Sequence, residues 1–122
     1  MLEVQHSTDS TGLIQSTSYV TYRNIGANTR NGKTKTRLWI EGSDLNDCGW
    51  FNGDRYHLTY HGGDIGMIRL CRATDGKRKI AGKPGRPIID ICTDKVGATL
   101  GCTAGQRVKI SITQNIITIK KA

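Results

Sequence analysis

Two stretches of the chain follow the same order of apolar runs, turns and glycines at an offset of about 52 residues. In the first, Leu38, Trp39 and Ile40 form a strand that stops at Gly42. Ser43 to Cys48 has room for little more than one helical turn, with Ser43 as N-cap and Gly49 closing it. Asn52-Gly53-Asp54 makes a tight turn, and Tyr56, Leu58 and Tyr60 alternate with His57 and Thr59. His61-Gly62-Gly63-Asp64 turns the chain back into a strand from Ile65 to Leu70. In the second, Ile88, Ile89 and Ile91 supply the strand and Thr93 to Val96 the short helix. Leu100-Gly101 matches Cys48-Gly49, and Cys102 stands in the place of Trp50. Gly105-Gln106-Arg107 follows Gly53-Asp54-Arg55, and Val108, Ile110 and Ile112 alternate like Tyr56, Leu58 and Tyr60. Ile116 to Ile119 returns after Thr113-Gln114-Asn115. Three short strands cannot bury enough apolar area alone. The two units are therefore expected to interlock or pack face to face as an intramolecular pseudo-dimer.

With 122 residues the chain fits one domain. Residues 1–17 are rich in Ser, Thr, Gln and Asp and read as a flexible terminus, with an edge strand near Leu13 and Ile14. The β-rich domain spans 18–122: unit one 18–71, a basic linker 72–86, and unit two 87–122. A strand is expected over 18–25. Gly26 to Thr36 reads as an exposed loop or a twisted edge hairpin turning at Asn31-Gly32.

The string RLWIEGSDLNDCGWFNGDRYHLTYHGGDIGMIRL, led by SYVTYR, resembles the core of the SymE-like family, a branch of the AbrB/MazE swapped-hairpin superfamily. The matching marks are a strand ending at Gly42, then Leu45, Cys48-Gly49 with Trp50-Phe51, Gly53-Asp54, and a closing apolar hairpin. The second half is similar to a diverged second AbrB-like unit. The resemblance implies a swapped-hairpin β-barrel and nucleic-acid binding. SymE-like members imply an SOS-linked toxin associated with RNA decay or nucleoid binding; AbrB-like members imply transcription factors or antitoxins in a toxin–antitoxin setting.

Charge is concentrated rather than spread. Eighteen Lys and Arg face ten Asp and Glu, a net charge of +8. Arg23, Arg30, Lys33, Lys35 and Arg37 occur with no acid between them. Arg69, Arg72, Lys77, Arg78, Lys79, Lys83 and Arg86 are interrupted only by Asp75. Elsewhere the chain carries slightly more acid than base. Glycine-rich basic loops can follow a phosphate backbone, and arginine offers bidentate contacts. These twelve residues are the candidate nucleic-acid contacts. Trp39, Trp50 and Phe51 are expected in the core, while Tyr19 and Tyr22 stand near enough to the first window to stack on bases.

Catalytic constellations are thin. His57 and His61, with Asp54 and Asp64 nearby in sequence, are weak candidates for acid–base cleavage of RNA. Gly82-Lys83-Pro84-Gly85 lacks P-loop spacing. Cys48, Cys71, Cys92 and Cys102 show no CxxC spacing, so reduced, structural thiols are expected ahead of disulfides, and long-range zinc assembly with a histidine is a remote option. No cofactor or metal is expected. Without a signal segment or an apolar run of about 18 residues, a cytoplasmic protein with no membrane partner is expected. The expected function is nucleic-acid binding, of DNA rather than RNA, in a regulatory or nucleoid-type role. The alternatives are an RNA-targeting toxin and a phage- or plasmid-encoded inhibitor of a host protein or nucleoprotein complex, with a protein partner or a homodimer as further partners.

Overall fold

Leu38 and Ile40 cannot face the same side of a strand as Trp39, so the first apolar run already sets an inside and an outside. The computed structural model, which describes residues 4–8 and 15–122 with side chains from Ser18 onward, follows that parity throughout. In chain order the elements are β1 (Val4–Thr8), β2 (Gln15–Asn24), β3 (Gly26–Arg30), β4 (Lys33–Glu41), α1 (Ser43–Asp47), β5 (Arg55–His61) and β6 (Met67–Arg72). They continue with β7 (Arg78–Lys79), β8 (Ala81–Lys83), β9 (Arg86–Cys92), α2 (Asp94–Leu100), β10 (Arg107–Ile112) and β11 (Ile116–Lys121).

The strands form two antiparallel sheets. One runs β1-β2-β10-β11-β6-β5-β7 and the other β3-β4-β9-β8. Their inner faces share one hydrophobic cluster, with Leu38, Ile40, Ile89 and Ile91 from the smaller sheet and Ile68, Leu70, Ile110, Ile112, Ile117 and Ile119 from the larger. Leu45 of α1 and Val96 and Leu100 of α2 complete it. The expected closed barrel is not formed. Among the described residues β1 and β7 are the edge strands of the larger sheet and β3 and β8 those of the smaller, and the chain passes between the sheets through α1, through α2 and at two single residues.

Those residues are Ile25, between β2 and β3, and Ile80, between β7 and β8. Ile25 donates to the Gln106 carbonyl at 2.8 Å and accepts from Gly105 N–H at 2.7 Å. Ile80 does the same one unit earlier, donating to Asp54 O at 2.8 Å and accepting from Gly53 N–H at 2.9 Å. Equivalent strands also pair with each other. β4 lies against β9 with Trp39 opposite Asp90, and β6 against β11 with Arg69 opposite Thr118.

Other expectations are corrected locally. Segment 72–86, read as a linker, carries β7 and β8. The N-cap of α1 is Gly42, not Ser43, and no side chain caps it; Thr93 caps α2, accepting from Lys95 N–H. Trp50 is fully buried and donates Nε1–H to Thr113 O at 2.6 Å. Phe51, expected in the core, is 48% exposed, and Trp39 faces outward. The strand proposed near Leu13 and Ile14 lies outside the described residues, whereas Val4–Thr8 pairs with β2 at Gln15 to Tyr19. Among the described residues no helix is long and apolar enough to cross a membrane.

Candidate nucleic-acid interface

The outer face of the four-stranded sheet is set by the cross-strand partners of β4. Asn28 lies opposite Lys35, Arg30 opposite Lys33, and Arg37 opposite Cys92. Lys83 lies opposite Arg86 across the β8–β9 hairpin. Both hairpins turn through residues chosen for it. Asn31 and Gly32 have φ of 54° and 74°, as a type I′ turn requires, and Pro84 precedes Gly85 at φ 79°.

Each turn is flanked by two cations directly across the ladder, Arg30 with Lys33 and Lys83 with Arg86. Directly opposed like charges oppose strand pairing. All four side chains are exposed, and none makes an ion pair among the described residues. Arg30, Lys33 and Lys35 line a groove of about 390 Å³ with Asn28, Asn31 and Cys92. The second hairpin borders a wider groove that also contains Glu41 and Asp44, so its field is partly offset. The hairpins lie at opposite ends of the β4–β9 pair. From Lys33 to the level of Arg86 is roughly ten residues, or roughly 30 Å along the strand.

Several basic residues are committed to the fold. Arg23 pairs with Asp44, which also accepts from the Tyr19 hydroxyl. That hydrogen bond, with burial and the Asp44 charge behind it, pushes Tyr19 up to about 12. Arg37 is bidentate on Asp90, both contacts 2.8 Å, and its guanidinium lies 4.5 Å from the Trp39 ring centre. The Arg37 hydrogen bond holds Asp90 below the usual carboxylate range. Arg72 pairs with Asp54 and the Gly49 carbonyl, beneath Trp50. Burial pushes the Tyr56 hydroxyl up, and Arg78 beside it pulls it back. Lys77 and Lys79 are exposed near the β7 edge. Of the twelve residues the structure therefore gathers Arg30, Lys33 and Lys35 at one turn and Lys83 and Arg86 at the other. Arg69 lies on the outer face of the larger sheet instead.

His57 and His61 do not converge. Four residues apart on β5, they stand roughly 13 Å from each other. His57 Nε2 meets Asp75 Oδ1 at 3.2 Å, and His61 Nε2 meets the Thr59 hydroxyl at 3.0 Å. Asp54 serves Arg72 and Phe51 N–H instead. Cys48 and Cys102 are buried, and burial pushes both thiols up; Cys71 and Cys92 are half-buried on strands. Among the described residues no three His, Cys, Asp or Glu side chains are grouped to hold a metal ion.

Three cations outside both sequence windows share a face. Arg107, Lys109 and Lys120 lie on the outer side of the larger sheet, with Arg107 4.7 Å over the Tyr22 ring. Tyr22 is thereby occupied, as Tyr19 is by Asp44. The signal for this face is strand parity: Val108, Ile110, Ile117 and Ile119 point inward, so their neighbours point out. None of the family models, curated proteins or solved structures compared with this chain matches it.

Proposed function

We propose that the chain binds nucleic acid, duplex DNA in preference to RNA, through the β3–β4 and β8–β9 hairpins. The observation that carries this reading is the pair of like-charged cross-strand couples, Arg30/Lys33 and Lys83/Arg86. Each is a repulsion built into the free protein that a phosphate backbone relieves. Duplex DNA is favoured because roughly 30 Å between the hairpins is close to one helical turn, about 34 Å. The two units are proposed to form an intramolecular pseudo-dimer of the swapped-hairpin kind. The equivalent pairings β4 with β9 and β6 with β11, and the exchanges at Ile25 and Ile80, support it. A single chain would then present two related basic tips, as a twofold dimer does.

The test is a salt titration of binding to duplex DNA, single-stranded DNA and structured RNA. Replacing Lys33, Lys83 and Arg86 with Gln should weaken duplex binding at least tenfold and lower the log–log salt slope by about one per cation removed. A slope unchanged in the triple variant would sink the reading.

A further inference from the structure

Both sheets bury their inner faces in the same cluster, so the outer face of the larger sheet points away from the basic hairpins. One row across it runs Tyr22, Lys109, Lys120, Met67, His61; the next runs Val20, Ser111, Thr118, Arg69, Thr59. Lys109 and Lys120 are directly opposed, as are Arg55 and Lys79 at the far edge. This is the same repulsive arrangement as at the hairpin turns, built independently of them. No Asp or Glu occurs in β1, β2, β5, β6, β7, β10 or β11. The Arg69 Nε is sealed from solvent and has no hydrogen-bond partner among the described residues. Among the described residues, the carboxylate recorded against this face is Asp75, beside His57.

We propose that this face binds a second segment of nucleic acid, so that one molecule bridges two duplexes. The inference rests on the reading that the hairpins bind the first. Charge complementarity selects the occupant. A second copy of this chain would bring Arg107, Lys109 and Lys120 against their own kind. A backbone carrying one charge per about 1.7 Å of duplex instead meets cations on neighbouring strands about 4.8 Å apart.

The experiment uses the full chain, a bead-bound duplex and a free fluorescent duplex of the same sequence. The wild-type chain should bring the fluorescent duplex to the beads and saturate at two duplexes per chain. The Lys109→Gln/Lys120→Gln variant removes a like-charge pair and so keeps its thermal midpoint. It should hold one duplex within threefold of wild-type affinity and lose at least tenfold of the bridging. Bridging retained by that variant, or a wild-type chain that saturates at one duplex, overturns the proposal. So does bridging that appears only at concentrations where sedimentation shows a dimer. Loss of binding to anionic phosphatidylserine vesicles with unchanged bridging would assign the face to a lipid surface and overturn it equally. The hairpin variant Lys33→Gln/Lys83→Gln/Arg86→Gln separates the two readings. Wild-type affinity and salt slope in that variant refute the hairpin reading alone, whereas they leave the sheet-face result to stand on the double variant.

Discussion

Tyr19, Arg23 and Asp44 tie the start of the larger sheet to α1, and the phenol is the member whose protonation can be followed. Its folded value, about 12, lies above its ordinary value of 10.0. A group raised in this way contributes stability that is complete below pH 10 and is lost as pH rises toward 12. Urea midpoints measured from pH 9 to 12 should therefore fall for the wild-type chain. Those of Tyr19→Phe should start lower and fall less over the same window; parallel curves would show that the Tyr19–Asp44 bond carries no pH-linked stability. At this scale the sequence is legible where parity is unambiguous and misleading where three apolar residues adjoin. In Leu38-Trp39-Ile40 all three look like core, but a strand can bury only alternate positions. Leu38 and Ile40 take the inside, and Trp39 is left outside, where Arg37 covers it. Phe51 fails for a different reason: it follows the buried Trp50 into the turn before β5 and is left 48% exposed.

Among the elements, the β3–β4 hairpin is where the proposed binding and the stability of the free protein pull against each other. Its turn is well formed, yet Arg30 and Lys33 oppose each other across the first rung. Lys33→Glu converts that couple into an attractive one and should stabilise the free protein by about 0.2–1 kcal/mol. The same change should weaken duplex binding more than Lys33→Gln does, since it adds repulsion to a lost contact. Thermal midpoints with and without duplex measure both effects. A variant less stable when free would show that the rung is not strained by charge. The hairpin was legible because Asn-Gly between polar, extended residues is a strong local signal. β7 and β8 were not. They are two and three residues long, and Ile80 is the one large apolar side chain among them. The basic outer face of the larger sheet was hidden for a related reason. Adding charge along the chain averages Lys109 and Lys120 with acids that sit in turns and helices, whereas a sheet sorts residues by alternate position. Asp64, for example, lies in the turn between β5 and β6, neither of which contains a carboxylate.

For the whole molecule, the crossings at Ile25 and Ile80 lead to a prediction about how it unfolds. β2, from unit one, completes the edge of β10 in unit two, and β7, which leads into unit two, completes the edge of β5 in unit one. β6 and β11 join the two hairpins at the centre of the larger sheet. Strands from both halves line the one core in which Ile110 is fully buried, so the pseudo-dimer reading expects it to melt as a unit. Ile110→Ala should cost about 2–5 kcal/mol, as loss of a buried aliphatic side chain does. The diagnostic is where the loss is felt. Trp50 belongs to unit one, yet its indole is anchored to Thr113 in the β10–β11 turn. Its fluorescence should therefore report the same urea midpoint as amide exchange in β10 and β11, in both the wild-type chain and the variant. Exchange in β5 and β6 should shift by the same amount. A variant in which β10 and β11 open first, while Trp50 and the β5–β6 amides keep the wild-type midpoint, would mean that the units fold separately. The two basic tips would then sit on a chain that could lose one and keep the other. If the transitions coincide, loss of a residue that touches no phosphate removes both tips at once.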